Sequence, residues 1–286
     1  LRQAGRALWR ATVNFDRDGA FDKAAVISYF ALLSLLPLTI LLVSLGAFLL
    51  GSTDEAVRGA RFLLRDLVSR LGPDAFAQAR QVGEQAADFG WPFILLALWT
   101  ASKVFNEIEA ALDLVFQVEK RRSYPVRKIL AFGLVALLAL ALVVVVAGTS
   151  AVAVLNRFLD NTPLAGGVRD NTLYQWLTGT FARFVFPWLL AVFSFAFVYK
   201  VLPARTVERR PAALAGLVAG SLWEGLKHGF SFYLARFAEY GRTYGVLEAV
   251  VVFAIWVNLS AIVLIWGGEL AAVLAGARDG QPETTG

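Results

Sequence analysis

The sequence predicts an all-α, polytopic membrane protein: a bundle of six spanning helices, an extracytoplasmic helical hairpin and an N-terminal amphipathic helix on the membrane surface. Three observations carry this. Of the 286 residues, 58% are hydrophobic and only 17% are charged, against about 25% charged in an ordinary soluble domain. Several apolar runs exceed the roughly 18 residues that a spanning helix needs. Basic residues gather in the short loops of one side.

Composition also removes whole classes of chemistry. The chain has no cysteine, which excludes disulfides, thiolate metal sites and cysteine nucleophiles. A single histidine excludes a histidine-rich metal centre, so neither metal nor cofactor is expected. There is no methionine, even at position 1, so the natural start is expected upstream. No cleavable signal is read at the N-terminus, where arginines are spread through an amphipathic pattern. The net charge of +5 would suggest nucleic acid in a soluble protein. Loop asymmetry explains it here, and membrane lipids rather than nucleic acid are the expected partners.

The elements follow in order. Residues 1–23 form the N-terminal segment. Within it Leu8, Trp9, Val13 and Phe15 are expected to meet the membrane and Arg2, Arg6, Arg10 and Arg17 its anionic head groups. The first span covers 24–50. Pro37 removes a backbone donor in its middle, so a hinge is expected there, with Ser34 close by and Tyr29 an interior hydrogen-bonder. Residues 51–89 are too polar to cross and read as the hairpin, packed on the bundle by Val57, Ala60, Leu64, Leu67 and Leu71.

The second span, 90–112, turns half polar after Thr100. Lys103, Asn106 and Glu107 are expected to face the protein interior, while Glu109 and Asp113 are expected where the helix leaves the bilayer. The basic loop Glu119–Lys128 precedes the uncharged third span, 129–155, and a polar connection precedes the fourth, 179–202, with Pro187 a second hinge candidate. Pro203–Pro211 is short and basic. The fifth span, 212–236, and the sixth, 246–274, complete the membrane domain of 24–275 before a tail, 276–286. The two termini and two short loops on one side hold fifteen basic residues against ten on the other, five of those in the long hairpin. Both termini are therefore expected in the cytoplasm.

The fifth span organises the rest. At about 100° per residue, Gly216, Gly220, Ser221, Glu224, Lys227, His228 and Ser231 fall within roughly 140° of one another, and large apolar residues take the other side. An ionisable group at membrane depth costs at least about 2.5 kcal/mol, so it normally faces protein or a water-filled cavity. Glu224, Lys227 and His228 are thus candidates for substrate binding or proton relay, histidine being the side chain that titrates near neutral pH. The same pair, three residues apart, can equally be a structural ion pair. Gly216-x-x-x-Gly220 and Gly225-x-x-x-Gly229 permit close helix packing. Glu269, near the end of the sixth span, joins the candidate set or pairs with a basic loop.

Several stretches resemble the YihY/BrkB family of bacterial inner-membrane proteins. Ala24–Pro37, AAVISYFALLSLLP, resembles that family's opening A-x-x-x-A-Y-x-x-L-x-S-L-x-P. Tyr199–Arg205, YKVLPAR, is similar to its Tyr-x-x-x-Pro turn, and Tyr244-Gly245, Trp256 and Gly267-Gly268-Glu269-Leu270 to its last span. Asp113 stands where the family has asparagine, and Gly268 where it has alanine. The resemblance implies six spans, cytoplasmic termini and an inner-membrane location. Members have been linked to envelope lipid traffic, solute export and serum resistance, and some have carried the label ribonuclease BN.

Three function classes follow. The leading one is a transporter or exporter of a lipid or small polar solute, using a polar cavity between the second, fifth and sixth spans. The alternative is a non-transporting envelope scaffold, with a homo-oligomer possible in either case. An enzyme is the weakest reading. Ser221, Glu224 and His228 are the only conceivable hydrolase set, and no Gly-x-Ser-x-Gly, His-Glu-x-x-His or Walker loop is present.

Overall fold

The computed structural model describes residues 2–34, 99, 102–120, 122–123, 125–127, 129–130, 181, 184–237 and 246–277. The hairpin at 51–89, the third span beyond 130, Pro37 and the connection at 156–178 lie outside the described residues. Those that are described form helices and turns, with no strand among them. Six helices carry the fold: α1 (Arg2–Arg17), α2 (20–34), α3 (102–115), α4 (Phe186–Val201), α5 (Arg209–Phe237) and α6 (Val246–Leu274). One of them is long and apolar enough to cross a membrane by composition: Val250–Leu274 of α6, with a mean hydropathy of 2.3.

Helix α6 is the post around which the others stand. Its Ala261, Ile265 and Leu270–Ala272 are buried in the main core with Leu112, Val115 and Phe116 of α3. Gly268 makes room there: a Cβ on it would lie 2.7 Å from Leu112 Cδ2. Helix α2 joins through Ser28, whose hydroxyl donates to the Ala254 carbonyl at 2.8 Å. Its buried residues Ala20, Ala24, Ile27 and Ser28 keep the three-to-four spacing of one helix face. Tyr29 points the other way and is 58% exposed, so it is not the interior hydrogen-bonder expected of it.

The N-terminal helix is part of the core rather than a separate surface element. Ala11 and Phe15 of α1 are buried, and Thr12 Oγ1 accepts from Trp266 Nε1 at 3.2 Å. Phe15, expected to meet the membrane, meets protein instead, while Trp9 and Val13 stay exposed among the arginines. The chain turns into α2 at Gly19, whose φ of +61° is a left-handed conformation that glycine adopts without a Cβ clash.

Helices α4 and α5 approach as closely as backbones allow. A Cβ on Gly216 would lie 2.6 Å from Ala196 Cβ, and one on Gly220 would lie 2.8 Å from Val192 Cα. Helix α4 meets α6 at Tyr199, fully buried, whose hydroxyl donates to Leu264 O at 3.0 Å. Gly267 is required at this level, because a Cβ there would strike the Tyr199 hydroxyl and stand 2.6 Å from Ala219 Cβ. Pro187 sits in the first turn of α4, directly after a π-type turn at 184–185; there proline forfeits no intrahelical hydrogen bond.

Candidate functional site

Helix α5 starts from a turn held by two charged side chains. Arg122 donates to the carbonyls of Val201 at 3.0 Å, Leu202 at 3.1 Å and Pro203 at 2.8 Å. These are carbonyls that the C-terminus of α4 leaves without helical partners. Asp113 accepts from the backbone N–H of Ala204 at 3.0 Å. Glu109, one turn earlier on α3, pairs with Arg127 at 2.9 Å. Both acids are 3% exposed. They were expected where the helix leaves the bilayer; protein covers both, and Arg127 and the α4–α5 turn bring each of them a donor. Lys103, Asn106 and Glu107 are instead only partly buried. Lys103 lies 5.4 Å from the Trp99 ring centroid, with no ion pair to Glu107 among the described residues.

From this closed end α4 and α6 follow α5 on different sides. At Gly216 and Gly220, α4 lies on the same side of α5 as Lys227 and Glu224. Further along, its contacts shift around the α5 axis by roughly 100°, judged from residue spacing. Trp188 Nε1 donates to Ser221 Oγ at 3.0 Å, and Phe184 stacks on His228 with centroids 6.3 Å apart. Helix α6 holds the opposite flank. Trp223 Nε1 donates to Ser260 Oγ at 3.3 Å, and Trp256 packs against Trp223 at 5.9 Å and Phe230 at 5.2 Å. The result is a fork closed at Tyr199, with α5 as its floor and aromatic rings on both arms.

The polar residues of α5 lie on that floor. Lys227 Nζ is 2.8 Å from Glu224 Oε1 and 2.7 Å from Oε2, so the ammonium engages both carboxylate oxygens. It also stands 5.4 Å from the Trp223 ring centroid, within cation–π range. The carboxylate side chain is 12% exposed and the lysine 36%: the anion is set in, and the cation faces the mouth. His228 Nδ1 lies 2.8 Å from Glu224 O. A carbonyl only accepts, so Nδ1 carries the proton and Nε2 is the nitrogen left to receive one. The Glu224 Oε2 is 3.9 Å from the same Nδ1.

The structure thus brings together Glu224, Lys227 and His228 but not the whole candidate set. Glu269 is fully buried, and the helical spacing of α6 puts it about 180° from Ser260, on the side away from the fork. Gly225 and Gly229 have nothing within 4 Å of an added Cβ, unlike Gly216 and Gly220. The tryptophans that wall the fork were not singled out from the sequence. Their signal was present in Trp188, Trp223 and Trp256, indole N–H groups placed inside apolar spans, where each needs an acceptor.

The family described as Virulence factor BrkB matches residues 11–286. The chain is 28% identical over 266 residues to the ribonuclease-like protein YfkH of Bacillus subtilis (strain 168), covering 88% of this chain and 89% of that protein. It is 30% identical over 259 residues to a UPF0761 membrane protein of Vibrio campbellii, covering 88% and 76%. To a UPF0761 membrane protein of Alkalilimnicola ehrlichii it is 30% identical over 269 residues, covering 91% of this chain but only 56% of the relative. No solved structure matches. The chain is a membrane protein and belongs to the Virulence factor BrkB family.

Proposed function

We propose that this chain is a multi-pass protein of the bacterial inner membrane, with six spans and cytoplasmic termini, that binds and moves a lipid or small amphipathic solute through the fork. One observation carries the reading: the Glu224–Lys227 pair, 2.7 Å apart, lies on α5 between the side chains that meet α4 and those that meet α6. Its lysine is partly exposed, and bilayer-depth charge is costly unless it faces protein or a polar cavity. His228 adds a proton-accepting nitrogen within one turn, which suits coupling to a proton gradient.

The bidentate geometry of the pair favours a second reading, a non-transporting scaffold in which Glu224 and Lys227 only neutralise each other. A nuclease reading draws nothing from the site, since no three His, Cys, Asp or Glu side chains converge among the described residues. The two main readings part in reconstituted vesicles. With Glu224→Gln, Lys227→Gln and His228→Asn combined, movement of fluorescent-head-group lipid between leaflets, or proton flux read by an internal dye, is expected to fall to the protein-free rate. Unchanged flux in a folded triple variant would sink the transport reading.

A further inference from the structure

We propose that the fork selects zwitterions that join a primary ammonium to a phosphate or other anion, and that Lys227 is a tethered stand-in for the substrate's own ammonium. This deepens the reading of the fork as a substrate site and rests on it. The Lys227 ammonium occupies a complete receptor for a primary amine. Both Glu224 oxygens accept from it, at 2.8 and 2.7 Å, and the Trp223 face stands 5.4 Å away. A carboxylate with an aromatic face is the chemistry that recognises organic cations.

The lysine is also the more exposed partner, 36% against 12%, and lysine is a flexible point charge that swings easily. An incoming ammonium can take the place on Glu224 and Trp223, while the released Lys227 turns to the anion of the same molecule. The pair opens into a ring of four alternating charges. No net charge enters the apolar fork at any stage, which matters because an uncompensated ion there is far costlier than an exchanged one. A purely anionic head group offers nothing to Glu224 once Lys227 has turned away. A quaternary ammonium offers the indole a cation but has no N–H for the carboxylate. The preference is therefore for ethanolamine-type head groups over choline-type and glycerol-type ones.

Native mass spectrometry of the full chain in detergent, with equimolar phosphatidylethanolamine, phosphatidylcholine and phosphatidylglycerol, tests this. The wild type is expected to retain the ethanolamine lipid about tenfold or more over the others, the factor carried by one charge-assisted hydrogen bond. Glu224→Gln leaves Lys227 alone and is expected to invert the order towards the glycerol lipid. Lys227→Gln leaves Glu224 alone and is expected to favour an added cationic lipid over all three. Displacement by free phosphoethanolamine would make the occupant a soluble zwitterion, and resistance to it would make the occupant a lipid; both support the exchange. An unchanged head-group order in both single variants, with thermal stability lowered, overturns it in favour of a structural pair. If the order is flat but the triple variant loses retention, only the zwitterion inference falls. If retention is the same with and without the three side chains, the fork is not the binding site and the proposed function falls with it.

Discussion

Asp113 shows how a residue that breaks a family pattern can keep its task. Relatives of this type are expected to carry asparagine there, which makes an amide look essential. In the structure the group accepts one hydrogen bond, from Ala204 N–H at 3.0 Å, and an amide oxygen and a carboxylate oxygen do this equally. Asp113→Asn is therefore expected to change unfolding stability by less than about 1 kcal/mol. Asp113→Ala leaves a backbone N–H unsatisfied in a covered turn and is expected to cost about 1–3 kcal/mol. Arg122→Ala, which removes three bonds to carbonyls 201–203, is expected to cost about as much or more, with Arg122→Lys in between because the forked donor geometry is lost. Denaturation in mixed detergent, followed by helical circular dichroism, ranks the four variants. None of this was legible from the sequence. Glu109 and Asp113 lie on the polar half of a helix wheel, which says that they avoid lipid but not whether water or an arginine from another segment meets them.

The elements were far more legible than their partners. Apolar runs and breakers placed α4, α5 and α6 within a few residues, because helix periodicity and length are local properties. Which glycines pack is not local. Gly216-x-x-x-Gly220 and Gly225-x-x-x-Gly229 are the same pattern on one helix, yet only the first meets a neighbour, with Ala196 and Val192 inside 3 Å of a notional Cβ. The two pairs lie on opposite sides of α5, nine residues or about 180° apart, and which of those sides meets α4 is not encoded in α5 alone. Gly216→Val and Gly220→Val are expected to lower stability by about 1–3 kcal/mol or prevent assembly, the cost of overpacking a filled contact. Gly225→Ala and Gly229→Ala are expected to be neutral or to stabilise by up to about 1 kcal/mol, since alanine is the better helix former. Reversed ranks in thermal unfolding would mean that the side of α5 carrying Gly225 and Gly229, and not the side facing α4, is the packed one.

At the scale of the whole molecule, the closed end and the open end of the fork should face opposite sides of the membrane. The closed end holds the α4–α5 turn, the 119–127 loop and the α1–α6 contact, and these are the segments rich in arginine and lysine. Such a bias in short loops is what the proposed cytoplasmic placement of this end rests on. The α5–α6 return, at the other end, carries only Arg242 beyond Phe237. If the proposed orientation is right, Glu224 is reached through the open end, from the extracytoplasmic face. The absence of cysteine from the chain makes the measurement direct, because each introduced thiol is the only one. Ser123→Cys and Thr206→Cys, both at exposed positions of the closed end, are expected to resist an impermeant maleimide added to intact spheroplasts and to react after lysis. Gly241→Cys is expected to react in both. Lys227→Cys is expected to react in intact spheroplasts more slowly than Gly241→Cys, and to be protected by an added cationic amphiphile, which the uncovered Glu224 then favours. Reaction of Lys227→Cys only after lysis would reverse the fork. An exporter that loads at the cytoplasmic face would then have to open through the Tyr199 contact, where a hydroxyl donating to Leu264 O at 3.0 Å and a glycine with no room for a methyl group leave no passage in the conformation described.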